Sequence, residues 1–467
     1  MKAYTWICLL LAAVLLLAAC GKENTPGALV TAPAVTEAET DLWEGLDQGG
    51  FTDDDFVIYT VNATNFRSNM LGEEGAEDIV NQAQFKAKSA VEELLGVSLS
   101  EYSVGDDMKQ FSTSIYAGLD SYALGYTRCT VAIQMYNNGL LIPYDDMPVV
   151  DLSGSWWNGE VNESLSVANK QYVALGCFDI STYDYTHAML FNKTMAESYG
   201  YGLYDEVKEK NWTFSRFYEI IIEVSSGADS DPRTYGYLCQ SKEVLPNFWI
   251  AANQLTVAKD PATDIPFLAC KTETFDTVFR RTFEMLRDNG TWYYVVDGND
   301  VPQENIDLFN GDRALFMDST FYYVNSLRAE NDHFGILPYP MYNEGQTEYC
   351  SRIEYYMPGI IPSVTTDRVR TGTVLEALNR AYSSMVTESY YESVLRLKNA
   401  TDEESYDMVG LIFSTQVIDI GDTTLNGTIR DGIFAPLWVR NKTNLASYLT
   451  SMENIVAKYL QSDSEGA

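Results

Sequence analysis

From Phe56 onward, short β-branched and aromatic runs alternate with stretches of helical spacing, and this alternation constrains the fold of the 467-residue chain more than any other feature. Phe56–Val61 reads as a strand. Val80, Ala83, Ala87, Val91 and Leu94 then keep three-four spacing across Ile79–Leu95, and Gly96 stops that helix. A strand is expected over Val97–Val104, a helix over Asp107–Tyr116, a strand over Ser121–Gly125 and a short helix over Thr130–Asn138. Strands restart at Tyr172–Leu175 and His187–Phe191, and Thr213 caps a helix with Phe214, Phe217, Ile221 and Val224 on one face. A further helix is expected over Phe275–Asp288, and strands at Ala314–Met317 and Phe334–Leu337 flank one over Phe321–Leu327. Helices over Thr373–Met385, Tyr390–Leu397, Glu403–Ile412 and Leu445–Leu460 complete the pattern. Such alternation implies an α/β chain with right-handed βαβ units on mostly parallel sheets flanked by helices.

The N-terminus sets where this domain is displayed. Lys2 precedes an apolar run from Trp6 that ends in Leu17-Ala18-Ala19-Cys20, the layout of a secretory signal peptide over residues 1–19. The run is too short to span roughly 30 Å of hydrocarbon, which needs about 20 residues. Its last four residues resemble a bacterial lipobox, which implies cleavage before Cys20 and diacylation of its thiol. Two acyl chains anchor stably where one binds only marginally. Residues 21–50 mix Thr, Ala, Pro, Gly and Glu without apolar periodicity, so they are expected to act as a flexible tether of roughly 30 Å. Ser462–Ala467 reads as a disordered tail.

Composition narrows the function further. A net charge of −35 repels nucleic acid, whose binding rests on Lys and Arg displacing counterions, and suits solubility at a crowded surface. An apolar fraction of 46% supplies real cores, and the length past Cys20 suits two domains. Cys129, Cys177, Cys239, Cys270 and Cys350 are scattered, with no CxxC pair, and read as buried free thiols, with a single bridge as the alternative. His187 and His333 are the only histidines, which leaves little room for a Ser-His or Cys-His pair. HExxH, Walker A and GxSxG motifs are absent from the sequence, and Gly200-Tyr-Gly202 lacks the third glycine of a dinucleotide loop. Asp297-Gly-Asn-Asp300 begins like a calcium loop, but Pro302 sits where the turn glycine belongs. The expectation is a chain with no catalytic residues, no metal and no cofactor.

Asp332-His-Phe-Gly-Ile-Leu-Pro-Tyr-Pro340 followed by Tyr349–Pro362 resembles a signature region of sugar-type solute-binding lipoproteins of ABC importers. Leu141–Asn158, with Asp151-Leu-Ser153 and Trp156-Trp157-Asn158, resembles that family's exit from the N-lobe. Tyr172–Lys193, closing in Leu190-Phe-Asn-Lys193, resembles its first crossover, and Phe309–Met317 is similar to a segment leading into a ligand-stacking aromatic. The resemblance implies a two-lobed periplasmic-binding-protein-like architecture: two α/β lobes with a ligand cleft between them. The N-lobe would take residues 51–176 plus 351–400, and the C-lobe 178–350 plus 401–461. It also implies a carbohydrate ligand, ABC permease partners and display outside the cell on a lipid.

In open α/β sheets ligands sit at the carboxyl ends of strands. Sugars need flat aromatic faces for their C–H patches and charged or amide groups for their hydroxyls. The candidates on those loops are Asn62, Asn65, Tyr126, Arg128, Asp179, Asp184, Tyr185, Asp318, Phe321 and Tyr322, joined by Trp249 as a second ring and Glu354 as a hydroxyl partner. The tryptophan of maltose-binding relatives is missing at Phe321–Tyr322. Two rival readings are a surface glycoside hydrolase, needing two carboxyls about 5–10 Å apart, and a sensor or adhesion lipoprotein without a transporter.

Overall fold

The computed structural model describes residues 42–46, 50–51, 55–61, 69–105, 108–226, 230–240, 244–287, 292–295, 303–330, 333–395 and 403–459. The expected signal peptide, Cys20, Asn62, Asn65, Asp297–Asp300 and Ser462–Ala467 lie outside the described residues.

The first sheet begins with β1 (Asp55–Val61), β2 (Ser98–Val104), β3 (Leu124–Tyr126), β4 (Leu141–Ile142) and β5 (Val173–Ala174). The second is built from β6 (His187–Asn192), β7 (Tyr235–Gln240), β8 (Trp292–Val295), β9 (Ala314–Thr320) and β10 (Phe334–Leu337), after which β11 (Gly359–Pro362) returns to the first. The first sheet runs β2-β1-β3-β11-β4, with β5 also on β11, and the second runs β8-β7-β9-β6-β10. Each sheet anchors one lobe.

The sheets are less parallel than the alternation implies. β1 pairs in parallel with β2 and β3, as βαβ units require, but β11 is antiparallel to β3, β4 and β5. In the second sheet β7 is parallel to β8 and β9, whereas β6 is antiparallel to β9 and β10. The reason is topological. β6 and β11 each arrive by crossing from the other lobe, and each enters its sheet from the opposite end.

Local signals explain most helices. Ile79–Leu95 starts where Asp78 accepts the Asn81 amide and stops at Gly96, whose φ of 68° suits a residue without a Cβ. It buries Val80, Ala83, Ala87 and Val91 against helix Arg368–Leu395. That helix runs unbroken for 28 residues, where the sequence suggests two helices with a gap at 386–389. Thr387 and Ser389 do not break it, because their hydroxyls bond back to the carbonyls of Tyr382 and Met385. Val386, Tyr390 and Val394 are buried too, so packing overrides weak propensity. The last helix is shorter than expected, Leu449–Lys458.

Part of the expected tether is also ordered. Leu46 is buried in the first lobe's core, Trp43 packs on it, and Arg380 donates to the Glu44 carbonyl at 2.8 Å. Those apolar side chains, in an otherwise polar stretch, dock it.

Every residue of β6 and β9 is buried, so both faces of the second sheet are covered. Alternate residues split between two apolar clusters: Leu190 and Met317 on one side, Met189, Phe191 and Phe316 on the other. Cys129, Cys239, Cys270 and Cys350 are buried free thiols, and Cys177 is a half-buried one. Among the described residues, no helix is long and apolar enough to cross a membrane.

Gly236, on β7, carries the helix Phe214–Val224 at close range. A Cβ there would overlap the Ile221 side chain and lie 2.6 Å from its carbonyl oxygen. Gly236→Ala is expected to cost about 1–3 kcal/mol through overpacking, read as a lowered urea midpoint with an unchanged slope.

Candidate functional site

The chain passes between the lobes at Gly176–Thr186 and again at Ser351–Met357, and backbone bonds gather the loops expected to meet a ligand at that junction. Tyr185 gives its carbonyl to the Glu354 amide at 2.9 Å, and Thr186 gives its carbonyl to the Phe321 amide at 3.2 Å. Met357 donates its amide to the Ser181 hydroxyl at 2.9 Å. The helix Cys129–Asn137 begins just after Arg128, and its first amide bonds the Tyr356 carbonyl at 3.3 Å. Tyr126–Arg128, Asp179–Tyr185, Asp318–Tyr322 and Glu354 therefore surround one place.

Rings and charges meet there. Tyr185 stacks on Tyr322 with centroids 5.8 Å apart and planes 18° apart, and Tyr355 meets Tyr185 edge-on at 6.0 Å. Arg430 lies over Tyr355, its guanidinium carbon 5.7 Å from the ring centre, and donates to its hydroxyl at 3.3 Å. Three sequence candidates do not join this group. Phe321 is fully buried and packs on Phe413 at 4.7 Å. Trp249 is 1% exposed and sits between Phe434 at 4.7 Å and Phe275 at 5.6 Å. Its helix, Val244–Ala251, is apolar nearly all round and is buried for that reason. Tyr126 is buried as well, edge-on to Phe178 at 5.3 Å.

Behind Glu354 lies a buried charge network. His187 Nδ1 is 3.0 Å from Asp318 and its Nε2 is 3.2 Å from Glu354. Arg352 forks onto Asp422 at 2.6 and 2.9 Å and donates to Asn247 at 2.9 Å. Arg430 donates to Glu354 at 3.1 Å, and Asp318 also accepts from Asn247 and Tyr339. Burial alone would lower the His187 pKa, but the Asp318 charge and both carboxylate hydrogen bonds carry it up to about 9. His187 is thus an imidazolium donating from both nitrogens. The Arg352 nitrogen 3.1 Å from Nε2 is then a contact between two donors, which the neighbouring carboxylates offset. Burial likewise opposes ionisation of Glu354, yet His187, Arg352 and Arg430 hold its carboxyl well below the usual range.

Asp179 differs. Burial pushes its pKa up to about 7, against hydrogen bonds from the Ser181 amide and hydroxyl at 2.9 and 2.6 Å. Asp184 accepts the Tyr390 hydroxyl at 2.7 Å. Among the described residues, no three His, Cys, Asp or Glu side chains are grouped to hold a metal ion.

Arg352, Asp422, Arg430, Asn247, Tyr339 and Tyr355 escape a reading of the sequence as site residues. Arg352 and Tyr355 lie inside the signature region and flank Glu354, which was a usable signal. Asp422 and Arg430 belong to a stretch after Gln416 that matches no motif, and nothing in it marks them.

The His187 charge makes stability depend on pH. Its folded pKa, about 9, exceeds the unfolded value near 6.5, so its contribution is whole below pH 6.5 and fades as pH rises through 9. That is about 3 kcal/mol at 1.36 kcal/mol per unit. Asp179, also raised, loses stability in the same direction between about pH 4 and 7. Urea unfolding is expected to give a clearly lower stability at pH 9.5 than at pH 6, and His187→Gln to flatten that difference. Trp249→Ala is expected to remove about 3–5 kcal/mol of stability, the cost of a core cavity, visible in a melting curve.

No protein-family model matches the chain, and no curated protein matches it in sequence. Solved structures do resemble it. The cyclic α-maltosyl-1,6-maltose binding protein from Arthrobacter globiformis superposes with a TM-score of 0.61 at 13% identity, over 88% of this chain and 99% of that one. The GacH receptor of Streptomyces glaucescens GLA.O, known unliganded and with acarbose, gives 0.54 at 14% identity, over 88% and 99%. An ABC substrate-binding protein from Listeria monocytogenes in complex with cycloalternan gives 0.52 at 11%, again over 88% and 99%. These are binding proteins, and the likeness extends along nearly all of each. At such identities it establishes architecture: the chain has the two-lobed solute-binding-protein fold that these carbohydrate binders share.

Proposed function

We propose that the chain is an extracellular solute-binding protein that captures a carbohydrate between its lobes and passes it to an ABC permease. A lipid on Cys20 holds it to the outer face of the membrane, and residues 21–41 act as the tether. The observation that carries this reading is the stacked pair Tyr185–Tyr322 with Tyr355 at its edge, set beside Glu354, Arg430 and Asp184. Aromatic faces next to charged hydrogen-bonding groups are what a sugar ring needs, apolar on its C–H faces and polar at its rim. The fold and the carbohydrates named with its structural neighbours support it. In this reading Arg128 serves from the first lobe and Tyr322 from the second.

The chain performs no chemistry on its ligand in this reading. Asp179, with a pKa near 7 beside Asp184, is the feature that favours the rival hydrolase. The two readings separate in one incubation. Binding is tested by thermal shift against maltotetraose, acarbose and cycloalternan, where a ligand at 100 times its Kd adds about 2.7 kcal/mol. The ligand should then be recovered intact by mass spectrometry; turnover products would establish the hydrolase instead. Tyr322→Ala and Arg128→Ala are each expected to weaken binding by roughly 1–3 kcal/mol, about 5- to 150-fold in Kd. Cys20→Ala is expected to leave unprocessed or released protein, scored by detergent-phase fractionation.

A further inference from the structure

Where β1 ends against the crossing segment, the protein encloses a cavity of about 20 Å³ lined by Thr60, Gln84, Asp179, Ser181, Asp184 and Met357 among others. A space of that size holds one water-sized group. Its lining is mixed: Val61, Met70, Ile180 and Met357 supply apolar walls, and Thr60, Asn69, Gln84, Asp179, Ser181 and Asp184 supply polar groups. Thr60 is 3% exposed, and its hydroxyl has no hydrogen-bond partner. Buried hydroxyls are nearly always paired, and one left unpaired destabilises the fold that carries it. Asp179 lines the same space. Its oxygens accept from the Ser181 amide and hydroxyl, and a carboxylate retains lone pairs beyond those two. The cavity thus sets an acceptor and an unsatisfied hydroxyl around one vacancy-sized volume, at the junction that also carries Tyr185 and Glu354.

A hydroxyl group is the chemical species that completes both partners, donating to Asp179 and accepting from Thr60. We propose that this cavity is a hydroxyl subsite of the cleft, entered by one hydroxyl of the bound carbohydrate. The inference rests on the function proposed above and adds Thr60 to it. Nothing local in the sequence marks Thr60, since a β-branched residue inside a strand reads as strand filler. A resident water offers the same chemistry, and the two sources differ in what the hydroxyl does to affinity.

The test uses purified full-length wild type, Thr60→Val, Thr60→Ser and Asp179→Asn. Each is titrated calorimetrically with maltotetraose, acarbose and cycloalternan and melted without ligand. Thr60→Val keeps the shape and removes the unpaired hydroxyl. It is expected to leave the unliganded melting temperature equal or higher while raising Kd about tenfold or more, equivalent to about 1.4 kcal/mol. Thr60→Ser should restore the wild-type Kd, and Asp179→Asn should raise it as Thr60→Val does. A saccharide that binds wild type and Thr60→Val equally well overturns the subsite and leaves the function standing; the cavity then holds water. If none of the three saccharides binds wild type, the function and the subsite fall together.

Discussion

Arg352 is buried on the strand that crosses between the lobes, and a guanidinium cannot shed its proton to ease burial. It must therefore be met by a carboxylate, and Asp422 meets it with two parallel hydrogen bonds. The rest of the junction follows from that obligation. Asp422 lies near Arg430, Arg430 needs Glu354, and Glu354 together with Asp318 holds His187 protonated. Arg352, Arg430 and His187 thus balance Asp318, Glu354 and Asp422, all of them buried. Against an apolar replacement of all its members such a network adds little net stability, because desolvation consumes most of its Coulomb energy, whereas neutralising one member alone, as with His187, costs stability. Its effect is geometric, since displacing one member leaves another charge buried and unpaired.

That geometry ties the crossing segment at Arg352–Glu354 to the second lobe. Asn247, Asp318 and His187 all belong to helices and strands around the second sheet, whereas Met357 and β11 belong to the first. At the second crossing the change of lobe is thereby confined to a few residues after Glu354, the same residues that present Tyr355 to Tyr185. Rings and charges of the candidate cleft are consequently held by second-lobe contacts, while Arg128 and Thr60 come from the first. A ligand bridging them would sense the relative placement of the lobes through very few bonds.

Much of the fold was legible because its cause is local. The Asp78 cap, the apolar spacing and Gly96 determine the helix Ile79–Leu95 within its own residues. The β-branched and aromatic run of β1 declares itself in the same way. Strand direction was not legible, since it depends on which end of a sheet the chain enters after a crossover. The unbroken helix Arg368–Leu395 was missed for a related reason. Its Thr and Ser residues look like a break until both flanks are seen to be buried.

The candidate site divides along the same line. Its loops were readable from strand ends, and the backbone brings Tyr126–Arg128, Asp179–Tyr185, Asp318–Tyr322 and Glu354 together. Trp249 was misjudged because an aromatic carries no local mark of whether it faces a cleft or a core; Phe275 and Phe434 decided that. The charge network was out of reach, with Arg352 and Asp422 separated by 70 residues and His187 and Glu354 by 167. By itself, then, the sequence determined an α/β chain, its helices, its acidic surface and the loops at its strand ends, all set by nearest-neighbour chemistry. Only the tertiary structure decided which buried charges are paired, which rings face one another and which hydroxyl lies unpaired in a cavity. Burial and pairing are relations between distant segments, and they come into being when the chain closes on itself.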